Sequence, residues 1–176
     1  MKTLLLSLAV AGTVLLSSFT VFTTWRIADD YVVRFDGRGA EGTFQGLAGT
    51  VRFDPRDPTA GELDVTVDVR TINTGNTTKD RHARGEGWFD AARYPTIRFQ
   101  STRFGKDKDG HTVTGKLTLH GTTREITFPF TFTPVGSGGL FEGQFEVERK
   151  DYGIKGTFGQ FAVSNTFEVK LRVPVE

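Results

Sequence analysis

From Trp25 onward, apolar and polar residues take turns along the chain. Leu63, Val65, Val67 and Val69 alternate with Asp64, Thr66 and Asp68, and Val113, Gly115, Leu117 and Leu119 with Thr114, Lys116 and Thr118. Ile126, Phe128, Phe130 and Phe132 alternate with Thr127, Pro129 and Thr131. In the run 163–175, Phe167, Val169, Leu171 and Val173 face away from Thr166, Glu168, Lys170 and Arg172. A period of two with polar outer rows means antiparallel sheet with one buried side. Further strands are predicted at 31–35, 43–53, 97–104 and 140–148. Phe44 and Leu47 are both apolar but three apart, so a bulge that swaps faces is predicted at Gln45-Gly46. Turn residues separate the runs: Asp54-Pro55 with Asp57-Pro58, Lys108-Asp109-Gly110, His120-Gly121 and Gly136-Ser137-Gly138-Gly139.

The pattern is therefore all-β. About eight strands joined by short turns suit closure into an antiparallel barrel, which removes exposed edges. A two-sheet sandwich is the alternative. A barrel of roughly eight strands is just wide enough to be filled by its own side chains or to hold one small ligand.

One segment breaks the rhythm. Residues 76–92 (NTTKDRHARGEGWFDAA) lack alternation. Asn76 or Thr77 is suited to cap a short helix running to Arg84. With Ala83 as its only apolar residue, that helix cannot belong to the core. Trp88 and Phe89 follow as a bulky anchor, so the segment reads as a lid over one end of the barrel.

The first residues stand apart. Lys2 is their only charge, and 4–16 (LLLSLAVAGTVLL) is an apolar run, the layout of a signal helix for export. Residues 1–24 are thus expected to be a signal peptide or an uncleaved anchor, with the domain at 25–176 and a periplasmic or secreted location. An anchor would give membrane contact, since 4–22 approaches the ~20 apolar residues that span a bilayer.

Charge and cysteine content narrow the function. Setting the leader aside removes one of 22 basic residues and none of 21 acidic ones, which leaves a neutral domain. No basic stripe interleaved with aromatics is present, so nucleic acid is not an expected partner. With no cysteine, an exported domain must be held by its core alone.

Catalytic patterns are lacking. His82, His111 and His120 are the only histidines, far apart and without metal-ligand spacing. No serine elbow, no nucleophile–base pair and no phosphate-cradling glycine loop appears. Asp29-Asp30 and Asp107 with Asp109 read as turn residues. No catalytic residue, metal or cofactor is expected, and the chain does not read as an enzyme.

The cluster Lys79, Arg81, His82, Arg84 is the best polar candidate, because Arg grips phosphate with two parallel hydrogen bonds. The plainer reading is the wet face of a short helix, paired with Asp80 and Glu86, since charge runs usually form solvated faces. Phe44, Phe99, Phe128, Phe130, Phe132, Phe141, Phe145 and Phe167 point inward. They either fill a core or line a slot for an apolar chain, since both are built from the same residues. Gly115 and Gly143, on the inward rows, are expected to leave space between bulky neighbours.

An ordered set of motifs resembles the YceI family. It comprises Phe53-Asp54-Pro55, Thr71-Ile72-Asn73-Thr74-Gly75, Asp80-Arg81-His82, Trp88-Phe89-Asp90-Ala91 and Tyr94-Pro95-Thr96-Ile97-Arg98-Phe99-Gln100-Ser101. Gly115-Lys116-Leu117-Thr118-Leu119-His120-Gly121 with Arg124, and Arg149-Lys150-Asp151-Tyr152-Gly153-Ile154, complete it. The resemblance implies a lipocalin-like eight-stranded barrel that carries or sequesters a long isoprenoid lipid, polyprenyl or quinone-like. On that reading Phe99, Leu117, Phe128, Phe130, Phe145 and Phe167 surround the tail, beneath Trp88 and Phe89. Arg81, His82, Arg84 and Arg124 then lie near the head group. The rival expectation is a protein-interaction module with a filled barrel. Two departures stand out: Asp29-Asp30-Tyr31 and Asp36-Gly37-Arg38 lack the family's early histidines, and Ala83 replaces a large aliphatic residue.

Overall fold

The alternating rows close into a ring. The computed structural model describes residues 24–108, 110–156 and 163–176, with strands β1 (Thr24–Trp25), β2 (Val32–Gly37), β3 (Ala40–Arg52) and β4 (Glu62–Asn73), then helix α1 (Thr77–Arg84). Five more strands follow: β5 (Thr96–Asp107), β6 (Gly110–Leu119), β7 (Thr122–Val135), β8 (Gly138–Glu148) and β9 (Thr166–Val175). Strands β3-β2-β9-β8-β7-β6-β5-β4 neighbour one another in that order, all antiparallel, and β4 pairs back onto β3. That last pairing makes an eight-stranded closed barrel and rules out the stacked-sheet alternative. The two-residue β1 adds a stub beside β3, where Thr24 pairs with Arg52. The predicted leader otherwise lies outside the described residues, as does Asp109. Among the described residues no helix is long and apolar enough to cross a membrane.

The predicted bulge is what lets the ring close. The start of β3, Ala40 to Phe44, pairs with β2, while Ala48 to Arg52 pair with β4. Between them the register slips at Gln45 and again before Ala48, which bends the strand from one neighbour to the other. Gly49 makes the bend passable: at φ 135° it lies where other residues are strained, and a Cβ there would sit 2.1 Å from the Asp64 carbonyl oxygen. The Tyr31 hydroxyl receives the Leu47 N–H (3.0 Å) that the slip takes from the ladder.

The two ends of the barrel differ. At one end Phe53, fully buried, touches the rings of Phe104, His111, Phe130, Phe132 and Phe141, with centroids 5.2–5.9 Å apart. Trp25 lies against Phe132 and donates its indole N–H to the Phe53 carbonyl (2.9 Å). This aromatic plug is a dry floor. The opposite end carries α1, Trp88, Phe89 and the 3-10 turn Arg149–Tyr152.

Candidate ligand-binding cavity and its cationic rim

Above the floor the barrel is hollow. A cavity of about 610 Å³ occupies its interior, within the roughly 300–1,000 Å³ of small-molecule sites. Its wall is almost wholly apolar, from Val33 and Phe35 on β2 round to Val169 and Leu171 on β9. The inward phenylalanines therefore divide between two jobs: those around Phe53 fill, and those nearer α1 line. One expectation about space is corrected. A Cβ on Gly115 would lie 2.5 Å from the Phe99 ring, so that glycine seats an aromatic and leaves no void. At Gly143 the nearest atoms stand 3.2–3.6 Å from such a Cβ.

The lid follows from local chemistry. Asn76 caps α1, its side chain accepting from the Thr78 and Lys79 amides at 3.0 Å. Asp80 is buried beneath the helix and accepts both the amide and the hydroxyl of Thr74 at 2.7 Å. Those bonds, the hydroxyl first, hold its carboxyl below the usual 3.8 against the opposing effect of burial, with Arg84 assisting. The chain then winds back on the helix, with Phe89 donating its amide to Ala83 and Ala91 to Arg84. This sets Phe89 edge-on to Phe44 at 5.6 Å.

Nine of the twelve residues singled out in the sequence line this one cavity: Phe99, Leu117, Phe128, Phe130, Phe145, Phe167, Trp88, Phe89 and His82. The three arginines are placed elsewhere. Arg84 donates to the Arg70 carbonyl at 3.0 Å, and Arg124 to the Asp151 carbonyl at 3.1 Å. Arg81 is exposed on α1 and does not reach the lining. Phe130 belongs to wall and floor at once.

Comparison with known proteins agrees with this architecture. The model of the YceI-like domain matches residues 25–175. The chain belongs to the YceI-like family. Protein YceI of Escherichia coli O6:H1 is 34% identical over 141 residues, which cover 77% of this chain and 72% of that one. The crystal structure of Burkholderia cenocepacia BcnA superposes with a TM-score of 0.76 at 26% identity, over 82% of this chain and 95% of its own. A polyisoprenoid binding domain from Saccharophagus degradans, implicated in plant cell wall breakdown, superposes with a TM-score of 0.67 over 89% of this chain and 99% of its own. At 16% identity that likeness speaks for the fold alone.

In this YceI-like barrel the basic side chains that reach the lining are Arg34, Lys79, His82 and Arg149. Arg149 escaped the sequence reading as a site residue, although its motif was conspicuous. Its guanidinium lies 5.2 Å over the Trp88 ring and donates to the carbonyls of Ile154 (2.7 Å) and Ser164 (3.1 Å). Among the described residues no carboxylate pairs with it. The turn that holds it is braced from outside by Arg124 and by His120, whose Nδ1 lies 3.1 Å from the Tyr152 carbonyl. Among the described residues no three His, Asp or Glu side chains gather as a metal site.

Proposed function

We propose that this protein binds one long isoprenoid lipid, polyprenyl or quinone-like, and carries or sequesters it after export to the periplasm. The observation that carries this reading is the apolar cavity of about 610 Å³ lying between an aromatic floor and a rim with cations. An apolar wall of this kind rewards an apolar guest with ~25 cal/mol per Å² removed from water. The tail lies among Phe99, Leu117, Phe128, Phe145 and Phe167, with its near end under Trp88 and Phe89. Arg149 and Lys79 meet the polar head. The role is that of a binding protein: the wall offers shape and apolar surface, and the rim a charge held by carbonyls and an indole. A protein that shares the fold is described as a polyisoprenoid binding domain, and the apolar lining here suits a guest of that chemistry.

The test is direct. Protein purified without detergent and extracted with organic solvent should yield an isoprenoid, and the stripped protein should take one up again, seen by native mass spectrometry. Val65 lies on the lining and is only partly buried; Val65→Trp should stay folded and lose uptake. A folded, stripped protein that accepts no isoprenoid would sink the reading and favour a module that works through its outer surface.

A further inference from the structure

The hydrogen-bonded ladder of the barrel wall is not continuous. Strands β7 and β8 are hydrogen-bonded from Val135↔Gly138 to Phe130↔Gly143, and there the ladder ends. Beyond it β7 continues from Pro129 back to Thr122, paired only with β6, and β8 runs from Gln144 to Glu148, paired only with β9. Two residues explain the break. Pro129 turns its carbonyl towards β8, where a Cβ on Gly143 would meet it at 3.2 Å. In antiparallel sheet the N–H and carbonyl of one residue face the same neighbour, so proline removes the donor owed to β8. Gly143 then presents no side chain to cover the gap. Beyond it a ring stack spans the gap, Phe128 on Phe145 with centroids 4.7 Å apart and planes 30° from parallel. Arg124 at the far end of β7 donates to the Asp151 carbonyl in the turn after β8.

A second observation falls at the same place. An outer groove of about 550 Å³ crosses β7, β8, β9 and β2. It shares Phe130, Gly143 and Leu171 with the inner cavity, and the cavity in turn reaches the outward-facing Arg34 and Glu142. Inside and outside therefore meet at Gly143.

We infer that the β7–β8 seam beside Gly143 is a side portal, through which the far end of an isoprenoid longer than the cavity passes out along the groove. This rests on the proposed ligand class and adds how chain length is accommodated. A closed cup would select one chain length, whereas a pierced one accepts a series, with Phe128 and Phe145 parting to admit the chain. The floor at Phe53 offers no such exit.

Two measurements on the stripped full-length domain test the portal. Farnesol has three isoprene units and undecaprenol eleven, so the portal is expected to serve the longer alcohol alone. Gly143→Leu puts a Cβ 3.4–3.6 Å from Phe130 and Phe128 and, more tightly, 3.2 Å from the Pro129 carbonyl oxygen. Because Gly143 also lines the inner cavity, the comparison is between the two alcohols: the substitution should weaken undecaprenol about tenfold or more beyond whatever it does to farnesol. An equal effect on the two alcohols would overturn the portal. Because the chain has no cysteine, Gln144→Cys can also carry a single polarity-sensitive fluorophore on the outer face, with Thr102→Cys on β5 as control. Undecaprenol should shift the Gln144→Cys probe and farnesol should not, whatever the fate of Gly143→Leu; a silent probe with undecaprenol bound counts against the portal. Wild type that binds neither alcohol defeats the ligand class itself, a result distinct from either of these.

Discussion

At the scale of single residues, Phe53 carries more of the fold than its place in the chain suggests. It stands at the very end of the predicted 43–53 run, just past β3 and before Asp54-Pro55, yet it is fully buried and contacts five rings. Truncation leaves those rings facing a void, because packed aromatics relax only in part. Phe53→Ala should cost about 3–5 kcal/mol, read from urea unfolding. A loss below about 1 kcal/mol would mean that the floor collapses around the gap and is not the rigid plug described. Arg149 shows the opposite relation between residue and sequence. Its motif was visible, but its partners, Trp88 and the Ser164 carbonyl, are distant in the chain and brought together only by closure.

At the scale of elements, α1 is held by polar clamps because it has little apolar surface to bury. Asn76 caps it, Asp80 ties it to Thr74 and Arg84 to the Arg70 carbonyl. The Asp80 clamp has a definite pH signature. Its carboxyl is held below 3.8 in the folded protein. Its stabilising contribution is therefore complete above the unfolded-state value and fades as pH falls through the lower native value. Asp80→Asn should be about 1 kcal/mol less stable at neutral pH. That gap should close under acid, as the wild-type carboxylate itself takes up a proton. Thermal midpoints of both proteins across the acid range would show it, and a gap constant with pH would count against the clamp. Asp54, Asp64 and Asp68, each paired with an arginine, are also held low. Acid should thus weaken the whole barrel in the same direction, and only the difference between the two proteins reports on Asp80.

The elements were also where the sequence spoke most clearly. Strands with one wet and one dry face write their period into the chain, so β4, β6, β7 and β9 were legible almost residue by residue. So were the bulge at Gln45-Gly46 and a cap at Asn76 or Thr77, which falls to Asn76; each is a local rule. What could not be read depends on contacts across the ring. Tyr152 and Ile154 are among the most buried residues, but they sit in and just after a 3-10 turn, where no alternation marks them. Gly115 and Gly143 looked alike, both small residues on an inward row. Phe99 lies over one, and the end of a strand pairing lies beside the other. The choice between filled and hollow was equally closed to the sequence, since the same phenylalanines serve as floor at one end and wall at the other.

At the scale of the whole molecule, a hollow barrel without disulfides gives up contacts that a filled one would make. Atoms lining an empty apolar space have no partners on one side, and the dispersion energy they forgo is a standing loss of stability. A guest restores those contacts and, by binding only the folded state, stabilises it as RT ln(1 + [L]/Kd). Stripped protein should therefore unfold at a lower temperature than the same protein reloaded. At a free ligand concentration one hundred times Kd the difference is about 2.7 kcal/mol, which amounts to several degrees in a domain of this size. The shift should grow with the logarithm of ligand concentration and vanish in Val65→Trp, whose interior is already occupied. A reloaded protein that melts with the stripped one, while mass spectrometry shows ligand aboard, would mean that the unfolded chain holds the ligand as well as the folded one does, and so that no folded interior binds it. An interior guest cannot bind the closed ring and leave its stability untouched.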